Sequence, residues 1–196
     1  MGTMDTLDDP KILWNGDIGL VRTGAGLSGK LVQLAAWLRL IPRQRYQHAF
    51  IVGWKRVSSV RKEPHLIEAS WKVRERPVTE RDLELCDFVR VKANYVIPAL
   101  KMRRGAATYA YKMVGSPYGV WALVVMAWDT IRSHLRGESV RVAKAYICTE
   151  VVAMSWLNEG IRLVGGVLSA KVLPDMLADS PKVERVEGLE WARMSG

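Results

Sequence analysis

The sequence predicts a single α+β domain in which a small antiparallel sheet packs against helices. Three observations carry this prediction. Short apolar runs with strand character fill the first half of the chain, separated by polar and charged connections. From Pro98 onward, apolar residues instead recur at helical spacing. No repeat, low-complexity block or long linker divides the 196 residues, a length that supports one hydrophobic core.

The first half of the chain is predicted to contain four strands and one helix. A glycine and an aspartate, Gly16 and Asp17, open the first strand, which continues through Val21. Residues 27–40 are predicted to form a helix because apolar side chains recur every three or four positions, and Pro42 ends it. Three apolar runs then predict strands at about residues 47–54, 65–71 and 86–92.

The second half is predicted to be mostly helical. Helical spacing of apolar residues covers residues 99–113, 120–135 and 148–158. Gly160 follows the last of these segments, at a position where glycine commonly ends a helix. The domain is expected to span residues 15–186, with an N-terminal extension at 1–14 and a peripheral C-terminal tail at 187–196.

Cys148 is the strongest candidate for chemistry in this sequence, because it stands at the predicted start of a helix. A thiol in the first turn of a helix faces unpaired backbone N–H groups and the positive end of the helix dipole, both of which favour the thiolate. The thiolate is the nucleophilic form, so this position predicts a reactive cysteine. The bland alternative is a small packing residue, which is the interpretation we assign to Cys86.

A nucleophilic cysteine needs a base, and His48 and Glu68 are the candidates for the remaining two groups. His48 lies at the edge of one predicted strand, and Glu68 lies inside the next. If these strands pair antiparallel, the two side chains share a face only when the numbers of paired residues have an even sum. Glu68 would then hold one imidazole nitrogen while the other faces Cys148, as in a cysteine, histidine and carboxylate site.

The order of these motifs resembles the circularly permuted branch of the papain-like, NlpC-type cysteine hydrolases, in particular the YiiX-like group. The motifs that carry the resemblance are Gly16-Asp17, His48-Ala49-Phe50-Ile51-Val52, Ile67-Glu68 and Cys148-Thr149-Glu150-Val151. Further matches are Ser116-Pro117-Tyr118, Pro174-Asp175-Met176-Leu177 and Ser180-Pro181, so the resemblance covers about residues 15–186. An aspartate often follows the tyrosine in that group, whereas Gly119 follows Tyr118 here, and Tyr118 is therefore assigned no chemistry.

The resemblance implies a permuted papain-like fold with the nucleophile at a helix N-terminus. It implies a cysteine hydrolase, an amidase or peptidase, in which Cys148, His48 and Glu68 cleave an amide bond through a thioester, without a cofactor or a metal. The implied substrate is a cell-wall peptide or a protein, and the implied source is bacterial or phage. Relatives of the permuted fold act on lipid acyl groups, so a lipid acyltransferase or thioesterase is an alternative. A binding module that kept the fold without turnover is another.

A phosphate-binding loop is a competing interpretation of the segment Gly24-Ala25-Gly26-Leu27-Ser28-Gly29-Lys30. Its glycines and lysine have the spacing of that motif, between a predicted strand and a predicted helix. The serine or threonine that would bind magnesium is missing, because Leu31 stands in its place on the apolar stripe of the helix. A nucleotide hydrolase is therefore the least favoured function.

The chain carries a net charge of +9, from 29 basic and 20 acidic side chains. This balance favours anionic surroundings such as cell-wall polymers or phospholipid headgroups, although the same charges also serve simply to keep a protein soluble. No zinc-finger spacing, RNP-like strand or helix-turn-helix pattern is visible. Nucleic-acid binding is therefore not expected.

The sequence predicts no transmembrane segment, because no apolar run approaches the roughly 20 residues that cross a bilayer. The first ten residues lack the basic and apolar regions of a secretion signal. The expected location is thus cytoplasmic as synthesised, with access to the cell envelope on lysis or by another export route. Gly2 and Thr6 match the loose pattern for myristoylation. The oligomeric state is left open.

Overall fold

The computed structural model describes residues 11–22, 45–59, 61–69, 72–92, 99–116, 147–166 and 172–194. Within these ranges the protein is α+β, with a six-stranded antiparallel sheet and helices packed against it. The predicted α+β class is therefore confirmed. The predicted helices at 27–40 and 120–135, the glycine-rich segment 24–30 and Tyr118 lie outside the described residues.

The sheet consists of β1 Ile18–Arg22, β2 Tyr46–Arg56, β3 Lys62–Ala69, β4 Val73–Pro77, β5 Cys86–Val91 and β6 Val183–Val186. Its order is β4-β3-β2-β1-β5-β6, and every neighbouring pair is antiparallel. The sequence did not predict β4 and β6, the two outermost strands. Both are short and charged, as edge strands often are, so they lack the apolar signal of the central strands.

The described helices are α1 Glu80–Leu85, α2 Ala99–Met113, α3 Ile147–Asn158, α4 Pro174–Ala178 and α5 Trp191–Met194. The bounds of α2 are those predicted, and α3 begins one residue earlier than predicted. Gly160 ends α3 as expected: its φ of 78° is in the left-handed region, and its N–H group bonds to the carbonyl of Leu157. Among the described residues, none of the helices has both the length and the apolar character needed to cross a bilayer.

Apolar side chains are buried on both faces of the sheet, because adjacent residues in a strand point to opposite faces. The helix-facing core lies between the sheet, α2 and α3, and includes Ile18, Ala49, Ile51, Ile67, Ala106, Val151 and Trp156. The opposite core includes Leu13, Phe50, Val52, Leu66, Phe88 and Met194. Strand β2, which carries His48, therefore contributes side chains to both cores.

The two ends of the described chain are more deeply packed than the sequence predicted. Leu13, expected in an N-terminal extension, is fully buried, and Met194, expected in a peripheral tail, is 2% exposed. The backbone N–H group of Leu13 donates to the sulfur of Met194. The reason is that Phe50 and Leu66 make the second face of the sheet apolar, and these end segments cover it.

The Gly16-Asp17 pair fixes the entry into β1. Gly16 has a φ of 84°, and a Cβ atom there would lie 2.9 Å from the Trp156 ring, so glycine suits both the backbone and the space. The Asp17 carboxylate accepts hydrogen bonds from the Trp14 backbone and from the Arg90 guanidinium, at 2.7 to 2.9 Å. These contacts give the pair a structural explanation.

Candidate active site

His48 and Glu68 are in contact across neighbouring strands. Phe50 of β2 and Glu68 of β3 are Cα partners, so the paired residue numbers have the even sum that a shared face requires. The Nε2 atom of His48 lies 3.1 Å from Oε2 of Glu68. The contact predicted from strand alternation is therefore present in the structure.

A β-bulge lies beside His48. Val21 of β1 is opposite His48, whereas the next residue, Arg22, is opposite Tyr46, so β2 has one residue more than β1 at this point. Tyr46 and Ala49 consequently both belong to the helix-facing core, although they are three positions apart. Bulges re-aim side chains and are common next to active sites. Here the bulge sets the direction of β2 where it presents the imidazole.

Cys148 is the second residue of α3 and is 8% exposed. Two features hold this end of the helix in place. Val151 and Val152 pack in the helix-facing core, and the Thr149 hydroxyl donates a hydrogen bond to the backbone carbonyl of Val172. Cys148 therefore lies in the first described turn of α3, on a helix that packs against the sheet.

Mutual charge stabilises a thiolate and an imidazolium at Cys148 and His48. Burial raises the pKa of the Cys148 thiol, but the charge and hydrogen bond of His48 outweigh it, so the pKa ends below its ordinary value. Backbone N–H groups of Ala49 and Thr149 add to this stabilisation. Burial likewise opposes the charged imidazole, yet Cys148 and Glu68 raise the pKa of His48 to about 10. Each group therefore favours the charged form of the other, thiolate at Cys148 and imidazolium at His48.

Glu68 is the charged anchor of the group. Its side chain is 7% exposed, against 25% for the side chain of His48. Burial raises the pKa of this carboxyl, but hydrogen bonding to His48 and the charges of His48 and Arg76, with a hydrogen bond from Arg74, lower it to about 2. Glu68 is therefore ionised at neutral and at mildly acidic pH.

Cys86 has a different environment, in keeping with the packing role predicted for it. It begins β5 and is buried in the opposite core. Burial, together with the nearby charge of Asp82, raises the pKa of its thiol to about 12. The thiol of Cys86 is thus protonated at neutral pH.

Sequence reasoning missed the groups that surround Glu68 and the start of β2. Arg74 and Arg76 of β4 both approach the Glu68 carboxylate, and the alternation of charges in β4 would have indicated them had that strand been predicted. Asp175 belongs to a motif that the sequence singled out. Its carboxylate accepts hydrogen bonds from the backbone N–H groups of Arg45 and Tyr46, just ahead of the bulge.

The arrangement has the parts needed for acyl transfer to sulfur. With Nε2 of His48 held by Glu68, Nδ1 is the ring nitrogen left for Cys148. Within the described ranges, no group of three His, Cys, Asp or Glu side chains converges to hold a metal ion. No protein-family model matches this chain, and no curated protein matches its sequence.

Proposed function

We propose that this protein is a cysteine-dependent hydrolase, an amidase or peptidase, that cleaves an amide bond through a thioester on Cys148. The observation that carries the proposal is the convergence of Cys148, His48 and Glu68, with the pKa of the thiol lowered and that of the imidazole raised. A buried cysteine with a purely structural role has the opposite shift, as Cys86 does.

The first half-reaction forms the thioester. The Cys148 thiolate attacks the carbonyl carbon, and the C–S bond forms as the carbonyl oxygen takes up negative charge. The His48 imidazolium then donates its proton to the nitrogen of the leaving amine, and the C–N bond breaks. Glu68 keeps the ring oriented throughout. The backbone N–H group of Cys148 is the expected donor to the oxyanion, since it lies beside the attacking sulfur.

The second half-reaction releases the acid. The neutral imidazole of His48 takes a proton from water, the resulting hydroxide attacks the thioester, and the C–S bond breaks. The carboxylic acid leaves, and the thiolate and imidazolium are restored. No redox partner is required. The chain order, with the base on β2, the carboxylate on β3 and the nucleophile at the start of a later helix, supports a permuted papain-like arrangement.

The proposed substrate is a peptide or a peptidoglycan fragment. The test is a screen of peptides, wall fragments and acyl esters, with the products and the acyl adduct on the protein identified by mass spectrometry. Transfer of the acyl group to an added alcohol or lysolipid, in preference to water, would instead assign an acyltransferase. A protein that binds wall fragments without forming an adduct would be the binding module.

Variants of the three residues test the mechanism on any substrate found. Cys148→Ala and His48→Ala should each lower turnover by about a thousandfold or more, and the double variant should be scarcely worse because the two groups act as a unit. Glu68→Gln keeps an acceptor without the charge, so a loss of roughly tenfold to a hundredfold is expected. Cys86→Ala is the matched control and should retain turnover. Full activity in Cys148→Ala, with folding verified by circular dichroism, would remove the mechanism.

A further inference from the structure

The Glu68 carboxylate divides its two oxygens between different partners. Oε2 faces Nε2 of His48 at 3.1 Å. Oε1 receives Nε of Arg74 at 2.9 Å and Nη2 of the same guanidinium at 2.7 Å. Two N–H groups of Arg74 therefore bind Oε1, the carboxylate oxygen that does not contact His48.

These two contacts fix the orientation of the Glu68 carboxylate. A glutamate carboxylate rotates readily about its last bond, because that torsion is broad. Arg74 is the Cα partner of Glu68 in the β3–β4 pair, so the two side chains stand next to each other on one face of the sheet. With Oε1 held by the guanidinium, Oε2 is directed at the imidazole.

Arg76 approaches the same carboxylate but is engaged elsewhere. Its Nε atom is 3.5 Å from Oε1 of Glu68, whereas its two terminal nitrogens each lie 2.7 Å from an oxygen of Asp82. Asp82 also accepts hydrogen bonds from the backbone and hydroxyl of Thr79 at the start of α1. Asp82 thus takes the two shorter contacts of Arg76, which ties α1 to β4, while the charge of Arg76 still lowers the pKa of Glu68.

We propose that Arg74 is a positioning residue for the cysteine site, which acts through Glu68 both by holding the carboxylate toward His48 and by adding a positive charge beside the ion pair. This inference rests on the proposed function. Among the described residues, the charged groups that face Glu68 are His48 from β2 and the two arginines from β4, with Asp82 of α1 beyond Arg76 and Cys148 of α3 beyond His48.

The consequence is an effect on the thiol that a purely structural arginine would not have. Removing the charge of Arg74 takes a positive charge out of the surroundings of the Cys148 thiolate. Releasing Glu68 lowers the pKa of His48, so the imidazolium stabilises the thiolate less. Both changes favour the protonated thiol, so the pKa of Cys148 should rise. Because the side chain of Arg74 is 53% exposed and partly screened, a rise of about half a pH unit is expected.

The experiment measures the rate of Cys148 alkylation by iodoacetamide from pH 4 to 10, which requires no substrate. Arg74→Met removes the charge and the donors, whereas Arg74→Gln keeps a donor without the charge. Both should shift the acid limb of this profile to higher pH because both remove the positive charge. Arg74→Lys keeps the charge and should leave the limb close to that of the wild type. Arg81→Met, at an exposed arginine of α1, removes the same charge away from Glu68 and is the matched control.

Each outcome decides the inference. An acid limb that is unchanged in folded Arg74→Met and Arg74→Gln would overturn it, as would an equal shift in Arg81→Met. If Arg74→Met does not fold, the comparison of Arg74→Gln with Arg74→Lys gives the answer. Slow alkylation of Cys148 at neutral pH in the wild type would instead contradict the proposed function, so the two failures are distinguishable.

Discussion

Cys148 and Cys86 show how neighbours, not burial, decide the state of a thiol. Both are nearly inaccessible, at 8% and 4% exposure. Burial raises the pKa of either thiol, yet only Cys148 has an imidazole and two backbone N–H groups around its sulfur. The largest charge effect on Cys86 comes from the carboxylate of Asp82, which raises its pKa further. The pKa of the same residue type is therefore lowered at one position and raised at the other, which is why we propose Cys148, and not Cys86, as the nucleophile.

Alkylation at neutral pH should separate the two cysteines. We expect Cys148 to react with iodoacetamide more than about a hundredfold faster than Cys86 in the folded protein, because the pKa of its thiol is lowered whereas that of Cys86 is raised to about 12. Peptide mapping by mass spectrometry against time gives both rates in one sample. In concentrated urea, where the neighbours are lost, the two rates should converge. Equal slow labelling in the folded state would reduce Cys148 to a core residue.

At the scale of elements, the site depends on how β2 is held. The strand is in register with β3 through the pairing of Phe50 with Glu68, and it changes register with β1 at the bulge beside His48. Asp175, near the start of α4, accepts the backbone N–H groups of Arg45 and Tyr46 at 3.0 Å each. The helix thereby fixes the first residues of β2 immediately before the strand presents His48.

The two hydrogen bonds from the backbone of Arg45 and Tyr46 to Asp175 form a clamp on β2. Its loss should make the start of the strand less stable. Asp175→Ala leaves two backbone N–H groups without their acceptor, so we expect a decrease of about 1–2 kcal/mol in the free energy of unfolding and slower alkylation of Cys148. Hydrogen exchange of the Tyr46 amide should accelerate as well. Urea denaturation, followed by tryptophan fluorescence, measures the stability.

Asp179→Ala is the matched control for the clamp. Asp179 pairs with the Arg45 side chain, but its own side chain is 66% exposed. Exposed ion pairs contribute little, so the change should cost less than about 0.5 kcal/mol and should leave the thiol reactivity as it is. If Asp175→Ala behaved like Asp179→Ala, the clamp would have no part in positioning His48.

At the scale of the whole molecule, His65 links stability to pH. It is 6% exposed and lies opposite Gly53 in the β2–β3 pair, and neither of its ring nitrogens has a hydrogen-bond partner among the described residues. Burial lowers its pKa, Lys55 lowers it further, and Glu75 opposes this. The folded protein therefore keeps the imidazole neutral to a lower pH than the unfolded chain does.

This shift should make the fold less stable in mild acid. The unfolded chain binds the proton first, so the contribution of His65 is complete above the unfolded pKa of about 6.5 and is lost as the pH falls below it. His65→Leu cannot titrate. Its free energy of unfolding should therefore decrease less than that of the wild type between pH 7.5 and 5.5, in urea titrations run in parallel. An equal decrease in both proteins would show that His65 stays neutral in the unfolded chain as well or is protonated in both states.

The sequence alone determined the features that depend on near neighbours in the chain. The spacing of apolar residues located α2 and α3, and Gly160 marked the end of α3. The reactivity of Cys148 stays a prediction. Strand alternation even stated the condition under which His48 and Glu68 would meet. These signals are local, because helix periodicity, capping and face alternation are set by residues a few positions apart.

Only the tertiary structure decided the features that depend on residues far apart in the chain. Pairings between distant segments produce four such features: the register of β2 against β3, the bulge beside His48, the contact of Arg74 with Glu68, and the burial of Met194. A shift of one residue in a strand pair would turn every side chain to the other face. The sequence could therefore name Cys148, His48 and Glu68 as candidates, while the contact between His48 and Glu68 depends on the register of β2 against β3.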